Sequence, residues 1–497
     1  MRGLRKTVGV ALAATVVAGV LAGCGGASKD ASPAPHWCPT VAERVVECGV
    51  LPRPLVADRP ELGEVPVGYA LVRRQHADKP SAGTIVPNPG GPGVPLIAHA
   101  QEAAALSSAM LDDHDLLLID PRGTGVSGPI DCDVTEREFQ LGTREQQVTA
   151  AQHCGERLGP RTAGYTTAAT ADDFDAVRAK LGIDKVVLYG ISYGTYLMPV
   201  YAQRHPDHVQ SIVLTGAYPA DFDKLQRPNA EAVSLTLRRI CERSGACDGP
   251  TAVADLRATA QRLRDKPIAV DGPNPVLLTE GKLASLIFEE GTSNIGADPA
   301  ALTPLGMLPA ALHAAVRGDD GPLREFANRI TAGTPYEKIG AYIAVTCNDY
   351  AQFWSPEATV PQREQQYHRA LAAVPELGAF SSEGFAEAQR DHGNVCLRWP
   401  GGSNPRPDQM REPMPNVPVL VLSGDLDAVT PDANGKLAAA RFPRSIFLSV
   451  PNTGHVPDLE PSGCVVGLVS EFVRTGTLAS TDCVATIPPI AVTPVSK

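Results

Sequence analysis

One serine, Ser192, stands between two glycines in Gly190-Ile191-Ser192-Tyr193-Gly194, where the apolar run 186–189 turns into the helical pattern that follows. A G-x-S-x-G sequence between strand and helix is a nucleophile elbow: the glycines allow a tight turn and the hydroxyl is pushed out at the carboxyl end of the sheet. Without such a context the motif also arises by chance. A serine hydroxyl at neutral pH needs a base, and the base needs an orienting carboxylate. After an elbow of this kind these follow the serine along the chain in the order acid, then histidine. "VLVLSGDLDAVTP" ends a strand in two acids, Asp425 and Asp427, and "FLSVPNTGHVPD" ends a later strand in His455. Of the 11 histidines only His455 lies just past a C-terminal strand, in a glycine-containing loop. His205 and His208 at a helix end, and His153 beside Cys154, read as surface residues. Asp427 is chosen over Asp425 because it lies further past the strand, leaving Asp425 to hydrogen-bond the turn. The oxyanion of an acyl-transfer intermediate calls for two backbone donors. The N–H of Tyr193 is one. "NPGGPG", 88–93, supplies the other through Gly91, since Pro92 has no N–H. In "DPRGTGVSG", 120–128, Asp120 and Arg122 read as pins for a glycine-rich loop rather than as reacting groups.

The elements that must position these residues alternate. "GYALVRR" (69–74), "GTIVPN" (83–88), "HDLLLID" (114–120), "KVVLYG" and "VQSIVLTG" (209–216) read as strands. Helical patterns lie between them, including "VPLIAHAQEAAALSSAML" and "TADDFDAVRAKLGI", the latter with Thr170 as N-cap. Strand and helix in strict turn predict a mostly parallel, doubly wound sheet. The alternation stops near Tyr218, gives way to helical stretches and Pro/Gly-rich joints, and resumes with "VPVLVLSGDLD" (417–427), "SIFLSV" and the final helix "CVVGLVSEFVRTG". The organisation expected is a signal over 1–23, a flexible tether over 24–36, a sheet domain over 37–217, a mainly helical cap over 218–415, and the rest of the sheet domain over 416–497.

The chain has 497 residues and a net charge of −11, with 43% apolar and 20% charged residues. That balance suits a large globular core and argues against nucleic acid or anionic lipid as the main partner. The N-terminus reads as an export signal, with basic "MRGLRK" before a short apolar run. Its "LAGC" ending resembles a bacterial lipobox, which implies cleavage before Cys24 and a lipid on its thiol; the alternative is ordinary cleavage nearby with Cys24 left free. The expected location is the outer face of the cell membrane, held through the lipid alone. Setting Cys24 aside leaves ten cysteines, an even set that suggests disulfides in an oxidising compartment. Because short loops close most easily, sequential pairs are expected: Cys38–Cys48, Cys132–Cys154, Cys241–Cys247, Cys347–Cys396 and Cys464–Cys483. Neither C-x-x-C nor H-E-x-x-H occurs, and no metal or cofactor is expected.

Taken together, "GGPG", "DPRGTGVS", "GISYGTYL", "GDLDAVTP" and "GHVP" resemble the α/β-hydrolase peptidases of the prolyl iminopeptidase and tripeptidyl aminopeptidase group, especially exported actinobacterial members. The resemblance covers the sheet domain in order. It implies the α/β-hydrolase fold, maps the family's triad onto Ser192, Asp427 and His455, and puts Gly90 and Gly91 at the oxyanion positions. The family's early loop begins with histidine; here Asn88-Pro89 precedes the glycines. The implied activity is release of short peptides or single residues from free peptide N-termini. Such a substrate brings an ammonium, which calls for a partly desolvated carboxylate in the cap. Asp349, Glu289 and Glu290 are the candidates, Asp349 first because Cys347 lies beside it. Two other readings use the same residues differently: an esterase or lactonase acting on a small metabolite, and a tethered binding protein on an inactive hydrolase fold.

Overall fold

The structure, a computed structural model, describes residues 35–76, 78–219, 223–290, 295–332, 338–389, 392–400 and 413–495, without the side chains of Glu289 and Glu290. The chain first lays down six strands: β1 (Val46–Pro54), β2 (Glu64–Val72), β3 (Gly83–Asn88), β4 (His114–Ile119), β5 (Val186–Ile191) and β6 (Val209–Thr215). An insertion follows, mainly helical, with two short hairpins: β7 (Ile268–Val270) with β8 (Val276–Leu278), and β9 (Glu376–Leu377) with β10 (Phe380–Ser381). The chain then returns as β11 (Val419–Gly424) and β12 (Ser445–Val450). The eight-stranded sheet runs β1-β2-β4-β3-β5-β6-β11-β12. It is parallel from β4 to β12, while β2 pairs antiparallel with both β1 and β4.

Both faces of the sheet are apolar and covered. Val186 and Leu188 of β5 belong to one core with the helices Arg144–Leu158, Thr167–Lys180 and Gly194–Arg204. Val187 and Tyr189 point into the other, with the helices Ala100–Leu106 and Cys464–Thr475. Side chains alternate across a strand, so a strand buried on both faces reads as a continuous apolar run, as these do.

Three details depart from the sequence reading. β1 does not read as a strand, because Pro52 and Pro54 interrupt it; it is an edge strand paired only with β2, where proline is tolerated. The helix expected to start at Thr170 starts a turn earlier: Thr166 is the N-cap and accepts the Ala169 N–H, while Thr170 is buried inside. The apolar stretch 94–111 is no single helix but a short α-helix flanked by 3-10 turns.

Nor is the insertion one body. Its first part (helices Arg227–Ser244, Gly249–Asp265, Pro304–Val316 and Gly321–Ala332) forms a core of its own with Leu377–Ala388. The helices Gly340–Asp349 and Val360–Ala372 instead join the sheet core, with Ile339, Ile343 and Trp399 packed there. The C-terminal tail leaves the sheet and crosses the first part: Ala491, Thr493 and Val495 donate to the carbonyls of Pro299, Gly306 and Ala246, and Ile490 enters that core. The ten described cysteines form five disulfides in sequential pairs, Cys38–Cys48, Cys132–Cys154, Cys241–Cys247, Cys347–Cys396 and Cys464–Cys483. Among the described residues no helix is long and apolar enough to cross a membrane.

Candidate active site

Ser192 carries a backbone φ of 54°, the left-handed region that a non-glycine residue occupies only under constraint. The constraint is visible. Its N–H donates to Thr215 O (3.0 Å) at the end of β6, and the helix Gly194–Arg204 starts two residues later. The flanking glycines are steric necessities. A Cβ at Gly190 would lie 2.4 Å from Gly194 O, and one at Gly194 would lie 2.3 Å from Asn88 O. The early loop meets the elbow at Gly90, whose own Cβ would be 2.8 Å from Ser192 Cβ and 3.0 Å from Tyr193 N. The Gly90 N–H is taken by Asn88 Oδ1 (3.1 Å). The N–H groups of Gly91 and Tyr193 have no backbone acceptor among the described residues, which leaves them available to a substrate oxygen.

Asp427 and His455 come together from the loops after β11 and β12. His455 Nδ1 is 2.9 Å from Asp427 Oδ2. The Val429 N–H (2.7 Å) holds the other carboxylate oxygen, and the Thr430 hydroxyl lies between the pair, donating to Asp427 Oδ2 and 3.0 Å from His455 Nδ1. Burial alone would raise the Asp427 pKa; the charge and hydrogen bond of His455, with the Thr430 bonds, outweigh it and hold the carboxyl below its ordinary value. Asp427 therefore stays ionised and can fix the imidazole with its proton on Nδ1, leaving Nε2 as a base. His455 packs on Gly216, where a Cβ would lie 3.1 Å from its ring and 2.6 Å from its carbonyl oxygen. Gly216 follows Thr215, the residue that binds Ser192. Residues 215–216 thus link serine and histidine.

Residues 83–285 match the family model for the alpha/beta hydrolase fold, and residues 383–485 the model for TAP-like protein. The chain has the α/β-hydrolase fold. It is similar to the tripeptidyl aminopeptidase of Streptomyces lividans, 31% identical over 198 residues, which is 36% of this chain and 37% of that one, so the match spans little more than a third of that relative. It is similar over a greater length to serine protease Hip1 of Mycobacterium tuberculosis, 26% identical over 469 residues, 86% of this chain and 85% of the relative. Carboxylesterase B of Mycobacterium tuberculosis is 28% identical over 473 residues, 88% of this chain and 86% of its own.

The fold places the other candidates away from Ser192 and His455 or behind them. Asp425 does not face His455; it pairs with Arg243 and accepts the Asn452 N–H (2.9 Å). Asp120 accepts the N–H groups of Leu96, Ile97 and Val126, tying the glycine-rich loop to the segment after Gly93. Arg122 makes a two-pronged pair with buried Asp173 and donates to Leu55 O and Gly164 O. Asp349 ends the helix Gly340–Asp349, whose start packs on Gly93. Its carboxylate is buried behind the elbow and accepts the Thr167 N–H, while Thr167 Oγ1 bonds the Tyr193 hydroxyl (2.8 Å). Burial and then the charge of Asp349 raise the pKa of Tyr193. Glu289 and Glu290 lie on a π-helical turn, and their side chains are outside the described set, as is Cys24.

His205 and His208 are no simple surface residues. They gather with Asp175 within ligand distance of one another. Arg178 Nε (2.7 Å), the Tyr201 hydroxyl (2.9 Å) and His208 Nδ1 (2.7 Å) already share Asp175 Oδ1. Sequence reasoning missed Thr430 and Thr215. Thr430 lies in the quoted "GDLDAVTP", yet nothing in its type or spacing marks a hydroxyl between acid and base.

Proposed function

We propose that this protein is an exported serine peptidase that releases short peptides, or single residues, from free peptide N-termini. Ser192 attacks the scissile carbonyl while His455 Nε2 takes its proton. Asp427 keeps the imidazole in the required tautomer and stabilises the imidazolium. The N–H groups of Gly91 and Tyr193 bind the oxyanion. His455 then passes the proton to the leaving amine, and water repeats the sequence on the acyl-enzyme. The observation that carries this reading is the Asp427–His455 pair joined through residues 215–216 to a serine in a left-handed turn. The peptidase half is supported by the TAP-like match and by relatives named as an aminopeptidase and a serine protease. Five disulfides support an oxidising, exported setting. The lipid anchor at Cys24 rests on the sequence of the signal.

A second reading, an esterase on a small metabolite, is favoured by two observations. Asp349, the leading candidate for the ammonium, is buried and engaged with Thr167, and one long relative is named a carboxylesterase. Protein lacking residues 1–24, with Ser192→Ala as control, separates the two. Tripeptide and single-residue anilides with free or acetylated N-termini are compared with a short-chain p-nitrophenyl ester. Cleavage confined to free-amine anilides and lost in the control establishes the aminopeptidase. Ester turnover with neither anilide form cleaved replaces it with the esterase.

A further inference from the structure

Asp427 and His455 stand on loops leaving different strands, so their 2.9 Å contact depends on what holds the loops in register. Direct bonds join them: Asp425 N–H to Val450 O (3.0 Å), Leu426 N–H to Thr453 O (2.9 Å), and Asn452 N–H to Asp425 Oδ1 (2.9 Å). Further support comes from the insertion. Along the helix Arg227–Ser244, Asn229 Nδ2 donates to Ala428 O (3.0 Å) and Val429 O (2.7 Å), and Thr236 Oγ1 to Leu426 O (3.1 Å). Arg239 reaches Asp425 O, and Arg243 closes on both oxygens of the Asp425 carboxylate. These positions, spaced by seven, three and four, form one stripe of the helix. They meet the acid loop in reverse order, so helix and loop run antiparallel.

Arg243 does more than the others. Its Nη1 also donates to Asn452 Oδ1 (2.9 Å), so one guanidinium holds a residue of the acid loop and a residue of the histidine loop together. Asn452 sits in a left-handed turn (φ 61°), and its amide nitrogen bonds Ile487 O (2.7 Å) in the C-terminal tail. Three residues on, His455 carries the imidazole.

We propose that Arg243 is a positioning residue: through Asp425 and Asn452 it sets the distance between the acid and histidine loops, and so the Asp427–His455 bond. This rests on the hydrolase reading of the site. Removing the guanidinium takes the two-pronged partner from a buried carboxylate, leaving it only Arg239 Nη1 at 3.9 Å, and cuts the bridge between the loops. A misplacement of about 1 Å in such a pair can cost about 100-fold in rate. The helix Arg227–Ser244 is thereby tied to the acid loop.

The test uses the exported, disulfide-bonded protein with Arg243→Met, Arg243→Lys and, as a control on the exposed face of the same helix, Glu231→Ala. Sites are counted with a fluorophosphonate, and kcat is expressed per titrated site. Arg243→Met is expected to lower kcat by about 10- to 100-fold with KM within about two-fold, Arg243→Lys to recover much of it, and Glu231→Ala to change neither. In the proton NMR spectrum the downfield resonance of the His455 Nδ1–H, assigned with Asp427→Asn, is expected to broaden or move upfield in Arg243→Met. That signal needs no substrate. Absence of turnover in the wild type would overturn the hydrolase reading, while the resonance still decides this one. Should Arg243→Met fail to fold, Asn452→Gly keeps the left-handed turn but loses the Arg243 contact, and the same losses are expected. An unchanged kcat per site and an unchanged resonance, whatever the yield, overturn the proposal.

Discussion

Asp458→Asn is expected to make this protein more stable at neutral pH and to do much less in acid. Asp458 lies in the turn Pro457–Leu459, three residues after His455, and is fully buried. Among the described residues neither carboxylate oxygen makes a well-formed hydrogen bond. Burial pushes its pKa up to about 6; the nearby hydroxyls of Thr215 and Tyr189 pull it down, and the charge of Glu460 pushes it further up. The folded protein therefore holds a proton that the unfolded chain releases near 3.8. For such a raised carboxyl the favourable contribution is fully present below the unfolded value and is lost as pH rises through the folded one. A rise from 3.8 to about 6, at about 1.4 kcal/mol per pH unit, amounts to about 3 kcal/mol. Nearly all of that penalty applies at pH 7.5, and about 1 kcal/mol of it at pH 4.5. Asparagine fills the same space without a charge. Urea unfolding of wild type and variant at both pH values isolates the effect, because contacts that do not titrate cancel in the difference. The stabilisation by Asp458→Asn should be larger at pH 7.5 than at pH 4.5 by about 2 kcal/mol. An effect equal at the two pH values, or a destabilisation that grows with pH, would refute the reasoning and imply a partner for the carboxylate.

Two further outcomes follow from the site and its supports. Asp427→Asn should lower kcat by about 10³- to 10⁴-fold with the fold intact by circular dichroism, because an amide facing Nδ1 favours the tautomer that puts the proton on Nε2; activity within ten-fold of wild type would remove Asp427 from its role. Replacing Cys347 and Cys396 together by alanine opens a loop of 49 residues and should cost about 4 kcal/mol in urea unfolding. An unchanged urea midpoint would show that this disulfide contributes nothing to stability.

How much of this was legible in the sequence depended on how local the physics is. The elbow could be read because its requirements lie within five residues: Gly190 and Gly194 must lack a Cβ for the turn to close. The order of serine, acid and histidine could be read because each follows an apolar strand, and β5, β11 and β12 are among the plainest runs in the chain. Asp427 is preferred to Asp425 for its distance past the strand and because the family's motif falls on it; the structure separates the two acids by their partners. Asp427 turns to His455, while Asp425 turns away to Arg243, nearly two hundred residues earlier in the chain. β1 was illegible for the opposite reason: an edge strand needs only half its groups paired, so it tolerates the prolines that hide it.

The groups that escaped sequence reading share one property, that their partners are distant in sequence. Arg243 is one of many arginines on helical stretches, and Asp458 one of many loop acids. Arg243 gains its meaning from lying against the loops of Asp425 and Asn452 at once, and Asp458 from being buried beneath Tyr189 and Thr215. Periodicity marks a helix face as polar; it does not say that the polar face is turned inward. The helix Arg227–Ser244 has two inward faces: Val233, Leu237 and Ile240 enter the insertion's core, while Asn229, Thr236, Arg239 and Arg243 serve the carbonyls and carboxylate of the acid loop. A helix so placed cannot be exchanged freely when an insertion changes its substrate, because its polar stripe holds the acid loop in place. Variation is therefore expected in the helices and hairpins beyond Ser244, while the stripe from Asn229 to Arg243 is tied to the acid loop.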